Sequence, residues 1–428
     1  MNETLMPFTD LMSNTEAWAS WVPREALRPV FQVDPHAGPS ERPTLIIAGT
    51  GSAQVCGSWQ LPLPNLVSGR CYRVEALFKT EGVQAPGKSV RAILTTPKNG
   101  LTFYAHLDAA GDVDGWRKLS FVLTAPEPVL ELTLQLFFAW AAEGRVLWSD
   151  ARLYEMPDPP EAQLVNVAAI SGNPNKPESP AQCLDFYVER IDSLAQSVDL
   201  ICLPELINVT RLPGSAVEWA EPIPGPTSEL LSEKAREKGA YIAASIQEIQ
   251  GDALYNTGLL VDRAGGLVGK YRKTHPTLSE GLLKGVAPGN DFPLFYTDFG
   301  TLAYMICYDG HYAEVPQLLG LQGAQIILFS NMGDSREGGD VWESVVRTRA
   351  VDNQVHIVAA VNSGRSCIVS PKGELLANTD RTPGAIAQAT CDLNTSLCDF
   401  SKRPIYRRYD QLRRADLYGD LARHLWDD

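Results

Sequence analysis

The sequence predicts an all-β sandwich followed by an α/β domain, and three observations predict it. From residue 42 to about 156, short apolar runs alternate with Gly, Pro, Asn and Asp breaks, the spacing of a β-sandwich. A proline-rich stretch, MPDPPE, interrupts the chain at 156–161. Beyond it, apolar strands alternate with amphipathic helices, which argues for an α/β domain with buried sheets.

Taken in order, CYRVEALFKT, VRAILTT, LTFYAHL, WRKLSFVLTA, LELTLQLFFAW and RVLWSDARLYE read as the strands of the first module. In LELTLQLFF, Leu132, Leu134 and Leu136 recur at every second residue and share one face. The run GRVLWSDARLYE resembles the closing strands of jelly-roll, carbohydrate-binding-like modules. Trp59, Trp116, Trp140 and Trp148 read as core packing, with a sugar-binding platform as the alternative. The module spans 1–156, and residues 157–162 form a stiff linker.

In the second module, 163–398, LVNVAAI is a continuous apolar strand. SPAQCLDFYVERIDSLAQS is an amphipathic helix, with Leu184, Tyr187, Val188, Ile191 and Leu194 at spacings of three and four. VDLICLPEL is a strand, SELLSEKAREKG a helix closed by Gly239, and AYIAASIQE another strand. LYNTGLLVD and LVGKYRK pair across RAGG. LAYMICYD is a strand, YAEVPQLLGLQG a helix ending at Gly323, and AQIILFS a strand. Residues 399–428 are a charged, aromatic tail that docks on something.

At 428 residues the chain holds two or three domains of about 150 residues each. Its net charge of −14 argues against unspecific nucleic-acid binding and against an anionic membrane surface. The N-terminus lacks the basic start and apolar run of a secretory signal, so a cytoplasmic location is expected. The eight cysteines are scattered without a C-x-x-C pair, the pattern of reduced thiols, and they outline no metal or disulfide framework.

Three strings put a reactive side chain at the end of a predicted strand, where catalytic groups of α/β sheets gather. In ICLPEL, Glu205 leaves an apolar strand through a proline, and partial burial raises a carboxylate towards the range of a general base. In GKYRKTHP, Arg272 and Lys273 point to opposite faces, so one cation enters a site while the other faces water. In LAYMICYDGHYAEVPQLL, Cys307 closes a strand where a helix opens, and unpaired N–H groups there lower a thiol's pKa and stabilise an oxyanion. Taken singly, each string has a plainer reading: a surface glutamate, a solvated basic strand end, a buried cysteine. His275 and His311 flank the cysteine string, so a Cys–His pair is an alternative dyad. Cys202 reads as core, and Asn331, after AQIILFS, is a candidate pocket residue.

Together, a glutamate, a lysine and a cysteine in that order resemble the nitrilase or carbon–nitrogen hydrolase superfamily over residues 163–398. LYNTGLLVDRAGGLVGKYRKTH, APGNDFPLFYTDFGTLAYMICYD, VWESVVRTRAVDNQVHIVAAVNSG and CIVSPKGELLA are similar to further segments of that superfamily. The resemblance implies a four-layer αββα sandwich. It places the base at Glu205, the lysine at Lys273, the nucleophile at Cys307 and a second active-site glutamate at Glu280. The run from Glu280 to Pro288 is longer than in many members.

The activity implied is hydrolysis of a non-peptide C–N bond through a thioester, without metal or organic cofactor, on a small-molecule amide or ureido substrate. Lys273 and the N–H of Tyr308 would hold the oxyanion. Nitrile-cleaving members carry Trp-Glu after the cysteine, and this chain has Tyr308-Asp309, as in amide-cleaving branches. Some N-carbamoyl hydrolases place arginines where this chain has Gly310 and His311. Tyr308, His311 and Asn331 are thus the expected substrate contacts. The alternatives are a ureido hydrolase or nitrilase, and a ligand-binding protein with a vestigial hydrolase domain. A homodimer or larger homo-oligomer is expected.

Overall fold

The computed structural model describes residues 7–96, 104–106, 108–125, 131–157, 162–333, 339–394, 405–406, 413–414 and 417–419. Most of the expected linker and most of the tail lie outside them. The chain divides into two compact units, Met1–Glu161 with Leu397–Asp428, and Ala162–Ser396.

The first unit is a β-sandwich. One sheet runs in the order Val30–Asp34, Thr44–Ala48, Arg145–Met156, Cys71–Glu81, Trp116–Thr124, Asp108–Val113, with Phe8–Asp10 added beside Arg145–Met156. The other runs Ala19–Trp21, Cys56–Pro62, Thr133–Ala139, Val90–Thr95, Tyr104–His106, Ile405–Tyr406. Ile405–Tyr406 pairs parallel with Tyr104–His106, so part of the tail is a strand of the sandwich. Leu132, Leu134 and Leu136 all point into the core beside Leu45, Val74 and Trp148. Trp59 and Trp148 belong to that core and Trp116 is buried apart from it, whereas Trp140 is exposed. The strands before residue 42 escaped the sequence reading because they are short and mostly exposed, and carry no apolar alternation.

The second unit has four layers. Its first sheet contains β1 (Leu164–Ile170), β2 (Leu200–Cys202), β3 (Tyr241–Gln250), β4 (Ala253–Val261) and β5 (Leu267–Arg272). Its second contains β6 (Leu294–Tyr296), β7 (Thr301–Ile306), β8 (Ile326–Gly333), β9 (His356–Ser363), β10 (Cys367–Val369) and β11 (Leu375–Asn378). The last strand, β12 (Ile386–Asp392), returns to the first sheet, whose order is β5-β4-β3-β2-β1-β12. In each sheet three neighbouring strands are parallel, β1 to β3 and β7 to β9, and the flanking pairs are antiparallel.

The continuous apolar strands follow from burial on both faces. Val165, Val167 and Ala169 of β1 meet Tyr304, Ile306 and Leu328 in the layer between the sheets. The alternate residues Ala168 and Ile170 pack instead against α1 (Pro180–Ser193) and α2 (Pro226–Lys238), through Leu184, Tyr187, Ile191 and Leu231. On the other side, Met305, Ile327 and Phe329 pack against α3 (Glu314–Leu321) and α4 (Gly339–Asn353), through Val315, Leu319, Val346 and Ala350. A Cβ at Gly258 would lie 2.7 Å from the Tyr304 ring, so this glycine sets how closely the sheets approach. The Tyr304 hydroxyl lies 2.6 Å from Ser330 Oγ, which donates to the Leu203 carbonyl at 2.7 Å and ties the two sheets together at their carboxyl ends.

His356 opens β9 and is buried. Burial holds its pKa down from 6.5 to about 4, against opposing pulls from Asp392 and the Gln325 backbone. The unfolded chain therefore takes up this proton first as pH falls. The stability linked to it is complete above the ordinary histidine value and is lost down to about 4. Replacing His356 with Gln is expected to flatten this dependence, worth on the order of 3 kcal/mol for the full shift. Thermal melts of both proteins at pH 7.5 and 4.5 check it: equal losses of Tm on acidification would contradict the assignment.

Candidate active site

Glu205 lies buried three residues past the end of β2, and the chain turns through the next residue, Leu206, at φ 54°. Asn362 Nδ2 and Thr210 Oγ1 both donate to the Glu205 carbonyl, which fixes the turn from β9 and from the following loop. Glu205 Oε1 accepts from Asn256 Nδ2 at 2.7 Å and from Lys273 Nζ at 2.9 Å. Its Oε2 is buried without a hydrogen-bond partner. Asn256 is itself oriented by Ser245 Oγ, which donates to its Oδ1 at 2.7 Å.

Lys273 follows the last residue of β5 and is 1% exposed. The expected alternation of sides holds, but the cations on the other face do not simply face water: Lys270 and Arg272 both turn to the buried Glu248, while Lys273 turns to Glu205. The second contact of Lys273 Nζ is Glu280 Oε2, at 2.8 Å. Glu280 sits in a π-helical turn, Ser279–Leu283, which is held by reciprocal bonds between Thr277 and Glu280. Asn256 Nδ2 also donates to Glu280 Oε1 at 3.1 Å, so one amide spans both glutamates.

Cys307 directly follows β7, at φ 45°. A non-glycine residue in the left-handed region costs of order 1–3 kcal/mol and persists only where its surroundings over-determine it. Here the fixing group is Asp309, fully buried, whose Oδ2 accepts from the Ile306 N–H at 2.8 Å and the Tyr271 hydroxyl at 2.7 Å. Its Oδ1 accepts from Thr274 Oγ1 at 3.2 Å, the His275 N–H at 3.1 Å and His275 Nδ1 at 3.0 Å. A Cβ at Gly310 would lie 2.5 Å from Phe329 Cζ, so the turn fits only with glycine there.

The helix expected after Cys307 is a 3-10 turn, Cys307–His311, separate from α3. The expected depression of the thiol pKa is also corrected. Burial and the Glu205 carboxylate push it well above the ordinary thiol value, against the opposing pulls of Lys273 and the Met332 backbone. Burial likewise raises Glu205, opposed by Lys273 and helped by Glu280. For Glu280, burial pushes upward, but Lys273 and the loop hydrogen bonds win and hold its pKa down. For Lys273, burial pushes downward, but Glu205, Cys307 and Glu280 win and hold the ammonium charged. The electrostatics thus favour a resting thiol, a charged lysine, an ionised Glu280, and a Glu205 poised above the usual carboxylate range.

Residues 166–396, more than half of the chain, match the family described as carbon-nitrogen hydrolase. The chain belongs to the carbon-nitrogen hydrolase family. Among its relatives, omega-amidase NIT2 of Homo sapiens is 33% identical over 248 residues, covering 53% of this chain and 87% of the relative. The omega-amidase NIT2 of Danio rerio is 31% identical over 249 residues, covering 53% and 87%. Two solved structures share the fold. A carbon-nitrogen hydrolase from Helicobacter pylori G27 has a TM-score of 0.51 at 21% identity, covering 61% of this chain and 99% of that one. The NitN amidase from Neterenkonia sp. AN1 has a TM-score of 0.50 at 21% identity, covering 60% and 99%. This carbon-nitrogen hydrolase is therefore an enzyme that hydrolyses C–N bonds. Among its described residues no helix is long and apolar enough to cross a membrane.

The structure brings Glu205, Lys273 and Glu280 into direct contact, with the Cys307 thiol within reach of the charges of Glu205 and Lys273. Tyr308 is half-buried, its ring 5.1 Å from that of the exposed His311 and 5.6 Å from that of Tyr312. Asn331 is buried inside β8, which runs two residues beyond it, so it does not follow the strand as expected. His275 stacks on Tyr312 at 4.1 Å and binds Asp309. Cys202 is core. Sequence reasoning missed Asn256, Ser245 and Asn362, polar residues inside apolar strands, where the interruption itself is a signal. It read Asp309 only as a marker of the branch.

Removing the ammonium while keeping its bulk should leave two carboxylates facing each other in a buried site. Each would then hold a raised pKa, a condition that favours the fold at low pH and penalises it as pH rises. Lys273→Met is accordingly expected to destabilise by about 3–5 kcal/mol near neutral pH, and by less at pH 5. Chemical denaturation at pH 5 and pH 8 measures this, and a larger loss at pH 5 would refute it.

Proposed function

We propose that this carbon-nitrogen hydrolase cleaves small amides through a covalent thioester on Cys307. The observation that carries the reading is the buried ammonium of Lys273 held between Glu205 and Glu280, with Glu205 Oε2 left without a partner. Glu205 takes the thiol proton as the sulfur attacks the carbonyl carbon. Because that proton moves within the site, attack adds no net charge to a pocket that already holds two carboxylates. Lys273 and the Tyr308 N–H donate to the oxygen that becomes negative. The C–N bond then breaks, and Glu205 returns the proton to the leaving nitrogen, releasing ammonia or an amine. Water attacks the thioester, Glu205 takes one of its protons and returns it to the thiolate, and the carboxylic acid leaves.

In this scheme Glu280 holds Lys273 in place and charged. Tyr308, His311 and Asn331 line the substrate side, and no step requires a metal or an organic cofactor. That its relatives are omega-amidases favours an amide substrate over ureido compounds and nitriles. A panel of primary amides, ureido compounds and nitriles, scored by ammonia release, distinguishes these classes.

Cys307→Ala is expected to abolish turnover while the fold persists, and intact-protein mass spectrometry of the unaltered chain with substrate should show a thioester adduct. Turnover by Cys307→Ala would sink the reading. Lys273→Ala should lower kcat by roughly 100-fold or more, the usual scale for a lost oxyanion donor.

The pH profile tests the base separately. Glu205 works only when ionised, and its pKa is raised, so the acid limb of kcat/KM should lie above the ordinary carboxylate value of 4.5. Glu280→Gln removes a charge that raises Glu205 and should move that limb to lower pH. A limb that stays in place or moves up would exclude Glu205 as the titrating base.

A further inference from the structure

We propose that Asp309 is a positioning residue that sets the placement of Lys273 against Cys307. The inference rests on the reading of Cys307 as nucleophile and Lys273 as its electrostatic partner. Its basis is the distribution of donors around one carboxylate. Of the five groups that reach Asp309, one comes from the nucleophile turn, the Ile306 N–H. The other four, the Tyr271 hydroxyl, the Thr274 hydroxyl, the His275 N–H and His275 Nδ1, come from the segment that carries Lys273. These two segments belong to different sheets. The carboxylate is therefore a strut across the gap between the sheets, bonded to the last residue of β7 on one side and to residues flanking Lys273 on the other.

The donor set demands an acceptor at both oxygens. A carboxylate accepts at each, so His275 Nδ1 must carry its hydrogen towards Asp309. The imidazole is held further by its stack on Tyr312. An amide in place of the carboxylate would turn an N–H₂ group towards one of the two sets of donors, and that contact would open. Loosening either side changes how near the ammonium comes to the sulfur. Lys273 pulls the thiol pKa downward in the intact site, so a retreating ammonium leaves the thiol harder to ionise.

A role in stability alone predicts the opposite sign, because a loosened turn exposes the sulfur and speeds its modification. The full-length Asp309→Asn and Tyr271→Phe proteins separate the two. Tyr271→Phe removes one donor and keeps the ring, so it preserves the fold if Asp309→Asn does not. The readout is alkylation of Cys307 by iodoacetamide across pH, followed on the Cys307 peptide by mass spectrometry well below Tm. In Asp309→Asn the pH–rate curve should move to higher pH, giving about tenfold slower alkylation at any pH below the thiol's pKa. Its kcat should fall about 30-fold or more while KM stays within about threefold. Tyr271→Phe should shift both in the same direction by less, and it decides the matter if Asp309→Asn fails to fold. A curve that stays in place or moves to lower pH in the folded variant overturns the inference. Cys307→Ala keeps the outcomes distinct: if it retains activity the mechanism falls, and if it is dead while the Asp309 and Tyr271 variants behave as the unaltered protein, only the strut falls.

Discussion

The site depends on one buried ammonium shared by two buried carboxylates. Moving a charge out of water costs several kcal/mol per ion, and pairing offsets this only where geometry and hydrogen bonds are both good. Lys273 meets that condition with contacts of 2.9 Å to Glu205 and 2.8 Å to Glu280, and Asn256 bonds to both glutamates beside it. An ammonium has three N–H donors, so two carboxylate contacts leave one for a third acceptor. The pocket already carries one more negative than positive charge when both glutamates are ionised. Burial first, and then the Glu205 carboxylate, drive the neighbouring thiol to keep its proton against the pull of Lys273.

The fold supplies this arrangement by stacking two similar sheets. Glu205 follows a parallel strand of one sheet and Cys307 a parallel strand of the other, and Lys273 reaches the same place from an antiparallel flank. The interior layer is apolar up to its carboxyl edge, where polar links begin. Ser330 joins the Leu203 carbonyl, Asn362 joins the Glu205 carbonyl, and Asp309 joins the two segments that carry Cys307 and Lys273. Small shifts between the sheets would separate the reactive groups, and these polar links oppose such shifts.

Much of this was legible in the sequence because it rests on local patterns. Apolar runs marked the strands buried on both faces, the spacing of Leu184, Tyr187 and Ile191 marked α1, and three strand ends marked Glu205, Lys273 and Cys307. What was not legible depends on tertiary contact. The thiol was read from a helix terminus that does not form: the chain makes a 3-10 turn, and burial beside a carboxylate reverses the expected shift. Asn256 lies in an apolar strand, and only the approach of two distant glutamates gives its amide a purpose. The early strands of the sandwich were silent because their exposed residues follow no apolar alternation.

Two buried glutamates of this domain show how far surroundings, and not residue type, set the chemistry. Glu248 and Glu205 are both almost fully inaccessible, and burial pushes both pKa values up. Glu248 then receives two cations, Arg272 and Lys270, with a hydroxyl from Thr257, and its pKa falls to about 2. Glu205 receives one cation, which it shares with Glu280, and its pKa stays raised. Two cations to one carboxylate make a permanent anion, suited to holding strands together. Two carboxylates to one cation leave a carboxylate that accepts and releases a proton at modest cost. The residues that make this difference are neighbours in the chain, since Lys270 and Arg272 alternate with Lys273 at the end of β5. One residue of strand register therefore separates the ion cluster at Glu248 from the one that joins Lys273 to Glu205 and Glu280.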